Sequence, residues 1–100
     1  MMSRALLRVM VITMMNQRQQ QLQGMTHTHS DTGCWIWHGQ ISNSGYGRIK
    51  QVLDKKVVML SAQAASYQAF TSSIPEGHLV KQSCGNRLCI NPEHLELIKI

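Results

Sequence analysis

The sequence predicts a small α+β domain in which short antiparallel strands and one helix are stapled together by a bound metal ion. Three observations carry this. Cys84, Cys89 and His94 recur at even steps in CGNRLCINPEHL, a spacing at which a folded-back loop brings two thiolates and an imidazole to one point. Two Trp, two Tyr and one Phe among 100 residues leave apolar burial thin, so a domain of this size needs a staple. From Thr32 onward, brief apolar runs punctuated by Gly, Asn, Ser and Pro surround a single Ala-rich segment of helical period.

Along the chain, residues 1–31 differ from the rest. ALLRVMVITMM is apolar but interrupted by Arg8, and the glutamine-rich NQRQQQLQG follows with no small-residue cleavage site. The segment therefore reads as an N-terminal extension, helical or disordered, rather than a signal peptide. Residues 32–100 form the domain. CWIWHG is a brief strand on which Trp35 and Trp37 share one face, packed in the core near the metal, with Ile36 on the other. SNSG is a turn, and GYGRIKQVL a second strand. Asp54 and Lys55 make a hairpin turn, and KVVML returns. SAQAASYQAF is the helix: Ser61 caps it, and Ala62, Ala65, Ala69 and Phe70 line one face. IPEG turns into HLVK, a short strand, and Pro92 opens a closing helix that carries His94.

Tetrahedral zinc needs a fourth ligand beyond Cys84, Cys89 and His94. Cys34 is the only other cysteine, and through it one ion would tie the start of the domain to its end; His38 is the best substitute. Four protein ligands leave no open position for a substrate, so the zinc is expected to be structural. Its binding energy, on the order of 10 kcal/mol in small peptides, would appear as folding energy. An odd number of cysteines argues against a disulfide framework and for a reducing cytoplasm. No apolar run approaches a membrane span. A net charge of +5 favours an anionic partner such as nucleic acid. His27 and His29, in THTH, read as part of an exposed polar leader, with weak chelation the alternative. His78 reads as a loop residue, and Asn91 as the group that ties the knuckle loop by backbone hydrogen bonds.

GCWIWHG, SGYGRI, the helix ending ASYQAF, IPEGHLV and CGNRLCINPEHLEL, in this order over about residues 32–97, resemble the zinc-containing HNH endonucleases common in bacteriophages, relatives of the His-Cys box homing endonucleases. The resemblance implies a ββα-metal (His-Me finger) core braced by structural zinc on Cys34, Cys84, Cys89 and His94. It also implies hydrolysis of a DNA phosphodiester by a His general base and a divalent ion, usually magnesium. Here the sequence departs from the family. The base position is Gln82, in KQSC, and a glutamine amide does not titrate near neutral pH. The family's Ala-His-Arg before the helix is Ala62-Gln63-Ala64. The Asn that holds the catalytic metal lies past Ile100, so the domain is read as truncated at its C-terminal end. Magnesium is expected only if cleavage survives.

Arg48, Lys50, Gln51, Lys55 and Lys56 fall on the hairpin. A two-stranded ribbon fits the major groove, and the resembling homing enzymes read DNA with such a sheet, so these residues are expected to contact double-stranded DNA; a solvated hairpin face is the alternative. Lys81 and Arg87 would flank the scissile phosphate. Three functions compete. The first is a DNA-binding HNH relative that has kept its zinc and lost cleavage. The second is a working endonuclease using substitute groups such as His78, or a partner chain, with a homodimer suited to double-strand breaks. The third is a zinc-stapled protein-interaction module.

Overall fold

The computed structural model describes residues 16–100, and the apolar stretch weighed above as a signal peptide falls outside them. Helix α1 (Gln17–Gly24) leads into β1 (Thr26–Thr28) and β2 (Trp35–Trp37). The hairpin β3 (Arg48–Leu53) and β4 (Lys56–Ser61) runs directly into helix α2 (Ala62–Phe70). Strand β5 (His78–Gln82), a single 3-10 turn (Pro92–His94) and β6 (Leu95–Lys99) close the chain. The strands pair as three separate two-stranded antiparallel ribbons: β1 with β2, β3 with β4, and β5 with β6. This is the small mixed α/β arrangement of short antiparallel strand pairs that the sequence predicts.

The residues before 32 pack against those that follow. Asn16 and Gln19 form a reciprocal capping box that starts α1. Within this polar helix Leu22 is fully buried in the core with Trp37, Ile49, Ala62, Ala65 and Ile90. Gln19 Nε2 donates to the Ala69 carbonyl at the end of α2 (2.8 Å), and β1 supplies the whole pairing partner of β2. Leu22 and, at its margin, Met25 thus pack into the same core as the rest. One leucine among glutamines carries too weak a hydrophobic signal to announce this in the sequence.

Trp37 is the centre of the core and 1% exposed. Its indole Nε1 donates to the Gln40 carbonyl (3.0 Å), so its one polar group is satisfied. The chain crosses its ring at Gly47, where a Cβ would lie 2.5 Å from Trp37 Cδ1; no larger residue fits there. In the β3–β4 hairpin, Asp54 (φ 49°) and Lys55 (φ 67°) both adopt left-handed backbone, the type I′ turn whose twist matches the strands. Helix α2 starts as its sequence predicts, with Ser61 Oγ accepting from Ala64 N (3.3 Å). Ala62 and Ala65 are buried, and Ala69 and Phe70 are packed on the core's margin. Ser66, also fully buried, donates its hydroxyl to the Ile90 carbonyl (2.6 Å) and so fastens α2 to the loop that carries the cysteines.

Candidate metal centre

The knuckle loop between β5 and the 3-10 turn turns back at Gly85, whose φ of 78° suits glycine. It then docks on β2. Trp37 N donates to the Leu88 carbonyl and Ile90 N to the Trp35 carbonyl (both 2.9 Å), with a bridge between Ile36 and Cys89. This pairing carries Cys89 to the strand that follows Cys34. Asn91 locks the arrangement: its Nδ2 donates to the Gly33 carbonyl (2.7 Å), and its Oδ1 accepts from Glu93 N (3.0 Å) at the start of the turn that presents His94. The expectation that Asn91 ties the loop through backbone groups is met, and its partner at Gly33 links the two ends of the site.

The ligand atoms of Cys34, Cys84, Cys89 and His94 all lie within 4.8 Å of one another. Cys34 Sγ is 3.6 Å from Cys84 Sγ and 3.5 Å from His94 Nδ1, and Cys89 Sγ is 3.4 Å from the same nitrogen. Tetrahedral zinc with bonds of about 2.3 Å to sulfur and 2.0–2.1 Å to nitrogen places sulfurs about 3.8 Å apart and sulfur and nitrogen about 3.6 Å apart. These three distances are close to the edges of such a tetrahedron, and all four ligand atoms stay within 4.8 Å of one another. Three soft sulfur donors and one imidazole suit zinc and are poor ligands for magnesium or calcium. His38 is not among the converging atoms, which leaves the fourth place to Cys34.

Cys34 and Cys89 are buried and Cys84 is exposed. Burial pushes the Cys34 thiol up, but contacts from Thr32, Cys89, His94 and Cys84 stabilise its anion more, and it falls to about 7. Burial dominates at Cys89, reinforced by the sulfurs of Cys34 and Cys84, and lifts that thiol to about 12 against opposing backbone donors near Asn91 and Trp35. A cation placed among these sulfurs would reverse that balance by ionising them.

Beside the knuckle runs a groove of about 680 Å³ between α2 and β5, floored by Gln63, Gln82, Val80 and Ile98 and open to Tyr46 and His78. Gln82 is buried, and its Nε2 donates to the Arg87 carbonyl (3.2 Å), so its amide serves the knuckle loop. Gln63 is 8% exposed, and its Oε1 has no hydrogen-bond partner among the described residues. No carboxylate lines the groove, so its described residues do not fit a hard magnesium ion.

The residues expected at DNA are divided. Strand pairing sets Arg48 and Lys50 on one face of the hairpin, opposite Ser61 and Met59, whereas Gln51 lies on the other face. Lys56 pairs with Leu53 and shares the face of Gln51, and Lys55 sits at the turn. Arg48 Nε is buried without a partner among the described residues. Lys81 is exposed on β5 opposite Glu96. Arg87 is pinned: its guanidinium donates to the Ser44 carbonyl (2.8 Å) and lies over the Tyr46 ring at 5.4 Å. The basic residues thus form no single cluster, because a strand turns each successive side chain to the opposite side. Tyr46 and the place of Gln63 in the groove are not legible in the sequence; Arg87 and the family's missing His are the only signals toward them.

No helix among the described residues is long and apolar enough to cross a membrane. No protein-family model matches the chain, and no solved structure matches it. Protein 2.8 of Escherichia phage T7 is 38% identical to it over 68 residues, which cover 68% of this chain and 44% of that protein. The chain spans less than half the length of this curated relative, to which it is similar. It carries a Cys3His group able to hold a metal ion.

Proposed function

We propose that this chain is a DNA-binding relative of the HNH homing endonucleases that retains structural zinc and has lost cleavage. The observation that carries the reading is the pairing of a complete zinc set with a neutral amide at the reacting position: Cys34, Cys84, Cys89 and His94 converge, while Gln82 is buried and bonded to the Arg87 carbonyl. A hairpin that runs straight into a helix, β3–β4–α2, beside a cysteine knuckle agrees with a ββα-metal core. Likeness to a phage protein agrees with the phage setting of that family. Zinc, when bound, supplies cross-linking and no reactive water, since all four of its positions are taken by the chain. Gln82 cannot accept the proton of an attacking water, and loss of a general base typically costs ~10²–10⁴ in rate. Arg48 and Lys50 on one hairpin face and Lys55 at its turn supply cations for phosphates, with Lys56 at the edge of the other face.

Fluorescence anisotropy on a duplex tests this. Affinity should fall steeply with salt, and Lys55→Ala/Lys56→Ala should weaken it and reduce the log–log slope by about 0.9 for each phosphate no longer neutralised. No duplex binding even at low salt would sink the reading.

A second reading is favoured by His78. Its Nδ1 faces the Glu76 carbonyl (3.1 Å), which leaves Nε2 as the free acceptor, and it lines the same groove as Gln82. As a substitute base it would act well along β5 from Gln82. Metal-dependent plasmid nicking that vanishes in His78→Ala would establish cleavage over mere binding. A zinc-stapled interaction module is the remaining alternative, and capture of a host protein in the absence of duplex affinity would favour it.

A further inference from the structure

The β1–β2 ribbon carries a second pair of metal-ligating side chains, separate from the Cys3His group. His27 sits mid-strand opposite Ile36, and His38 prolongs the pairing by donating its backbone N–H to the Met25 carbonyl (2.8 Å). Ile36 and His38 are two apart, so His27 and His38 are diagonal neighbours on one face of the ribbon. Their rings meet edge to edge, with centroids 4.5 Å apart and planes inclined by 26°. His27 Nδ1 meets His38 Nε2 in direct contact, and neither ring has another hydrogen-bond partner among the described residues.

Both side chains are exposed, so no packing forces the rings together. Two imidazole nitrogens that face each other need a hydrogen or a cation between their lone pairs. Imidazole nitrogen is the donor that suits copper, nickel and zinc. We propose that His27 and His38 form a two-histidine site for a borderline divalent transition-metal ion, Cu²⁺, Ni²⁺ or Zn²⁺. Bonds of about 2.0–2.1 Å require the nitrogens to stand about 3 Å apart, a small opening that rotation of two exposed side chains supplies. Water completes the shell. With two protein ligands against four, this site loads after the knuckle, and His29 has no part in it.

The test is titration of the full chain, already holding one equivalent of zinc, with Ni²⁺ in a calorimeter. A second binding event is expected, weakened about tenfold or more in His27→Ala and in His38→Ala, the scale on which even an outer partner's loss acts on a metal. His29→Ala should leave it unchanged. Unaltered thermal unfolding of the zinc-loaded variants separates loss of the site from loss of the fold, and His38→Gln supplies a second variant of closer volume. Absence of any event beyond the first zinc, or equal loss in His29→Ala, overturns the proposal.

Discussion

The metal knuckle and the groove beside it share strand β5 and the loop after it, yet their polar groups are satisfied in opposite ways. In the knuckle, four donor atoms face one point, and Asn91 spends both ends of its amide on backbone groups. In the groove, Gln63 Oε1 is buried without a partner among the described residues, and the amide of Gln82 turns away to the Arg87 carbonyl. A cross-link works only when all four donors are present, because loss of one strands the others around a buried charge. Groove residues share no ion, so each can be neutral without the fold failing. A four-donor cross-link and the lining of a groove are separable in such a domain.

The largest expected effect falls on the knuckle. Cys89→Ser, or treatment with a strong chelator, should abolish cooperative thermal unfolding followed by circular dichroism. A term on the order of 10 kcal/mol exceeds or matches the whole stability of a small domain, about 5–15 kcal/mol. An unchanged melt would erase the contrast between the two regions.

Acid should weaken the knuckle in a defined direction. The Cys89 thiol, lifted to about 12 when no metal is bound, holds its proton at neutral pH, and zinc must displace that proton to ligate the sulfur. Lower pH favours the protonated, metal-free form. Apparent zinc affinity should therefore drop about tenfold from pH 7 to 6 through Cys89 alone, with a further loss from Cys34, at about 7. Competition against a chromophoric chelator at the two pH values measures this; pH-independent affinity would contradict it.

Asn91→Ala and Gln63→Met then set the two regions side by side. The first leaves the Gly33 carbonyl and Glu93 N–H unpartnered and should cost about 2–3 kcal/mol in denaturant unfolding. The second removes a buried acceptor with no partner among the described residues and should be neutral or stabilising by about 1 kcal/mol. A large loss in Gln63→Met would reveal a structural duty for that amide.

Much of the knuckle is legible in the sequence because three of its ligands lie in one short loop and a tetrahedral ion demands a fourth, for which Cys34 stands alone among the remaining cysteines. The Ser61 cap and the Asp54–Lys55 turn are legible for the same local reason. What escapes the sequence depends on pairing. The hairpin's register sets Lys56 on the face of Gln51 rather than that of Lys50, and the contact of His27 with His38 follows from how β1 aligns with β2. Leu22 escapes because glutamines surround it, although its burial draws α1 into the core.

Zinc-edge X-ray absorption on the full chain tests the central claim most directly, taken on His27→Ala/His38→Ala so that a single site is observed. One zinc per chain is expected, with three sulfurs at about 2.3 Å and one nitrogen at about 2.0 Å. A shell of nitrogen and oxygen alone, or a cooperatively folded protein that takes up no zinc, would contradict it.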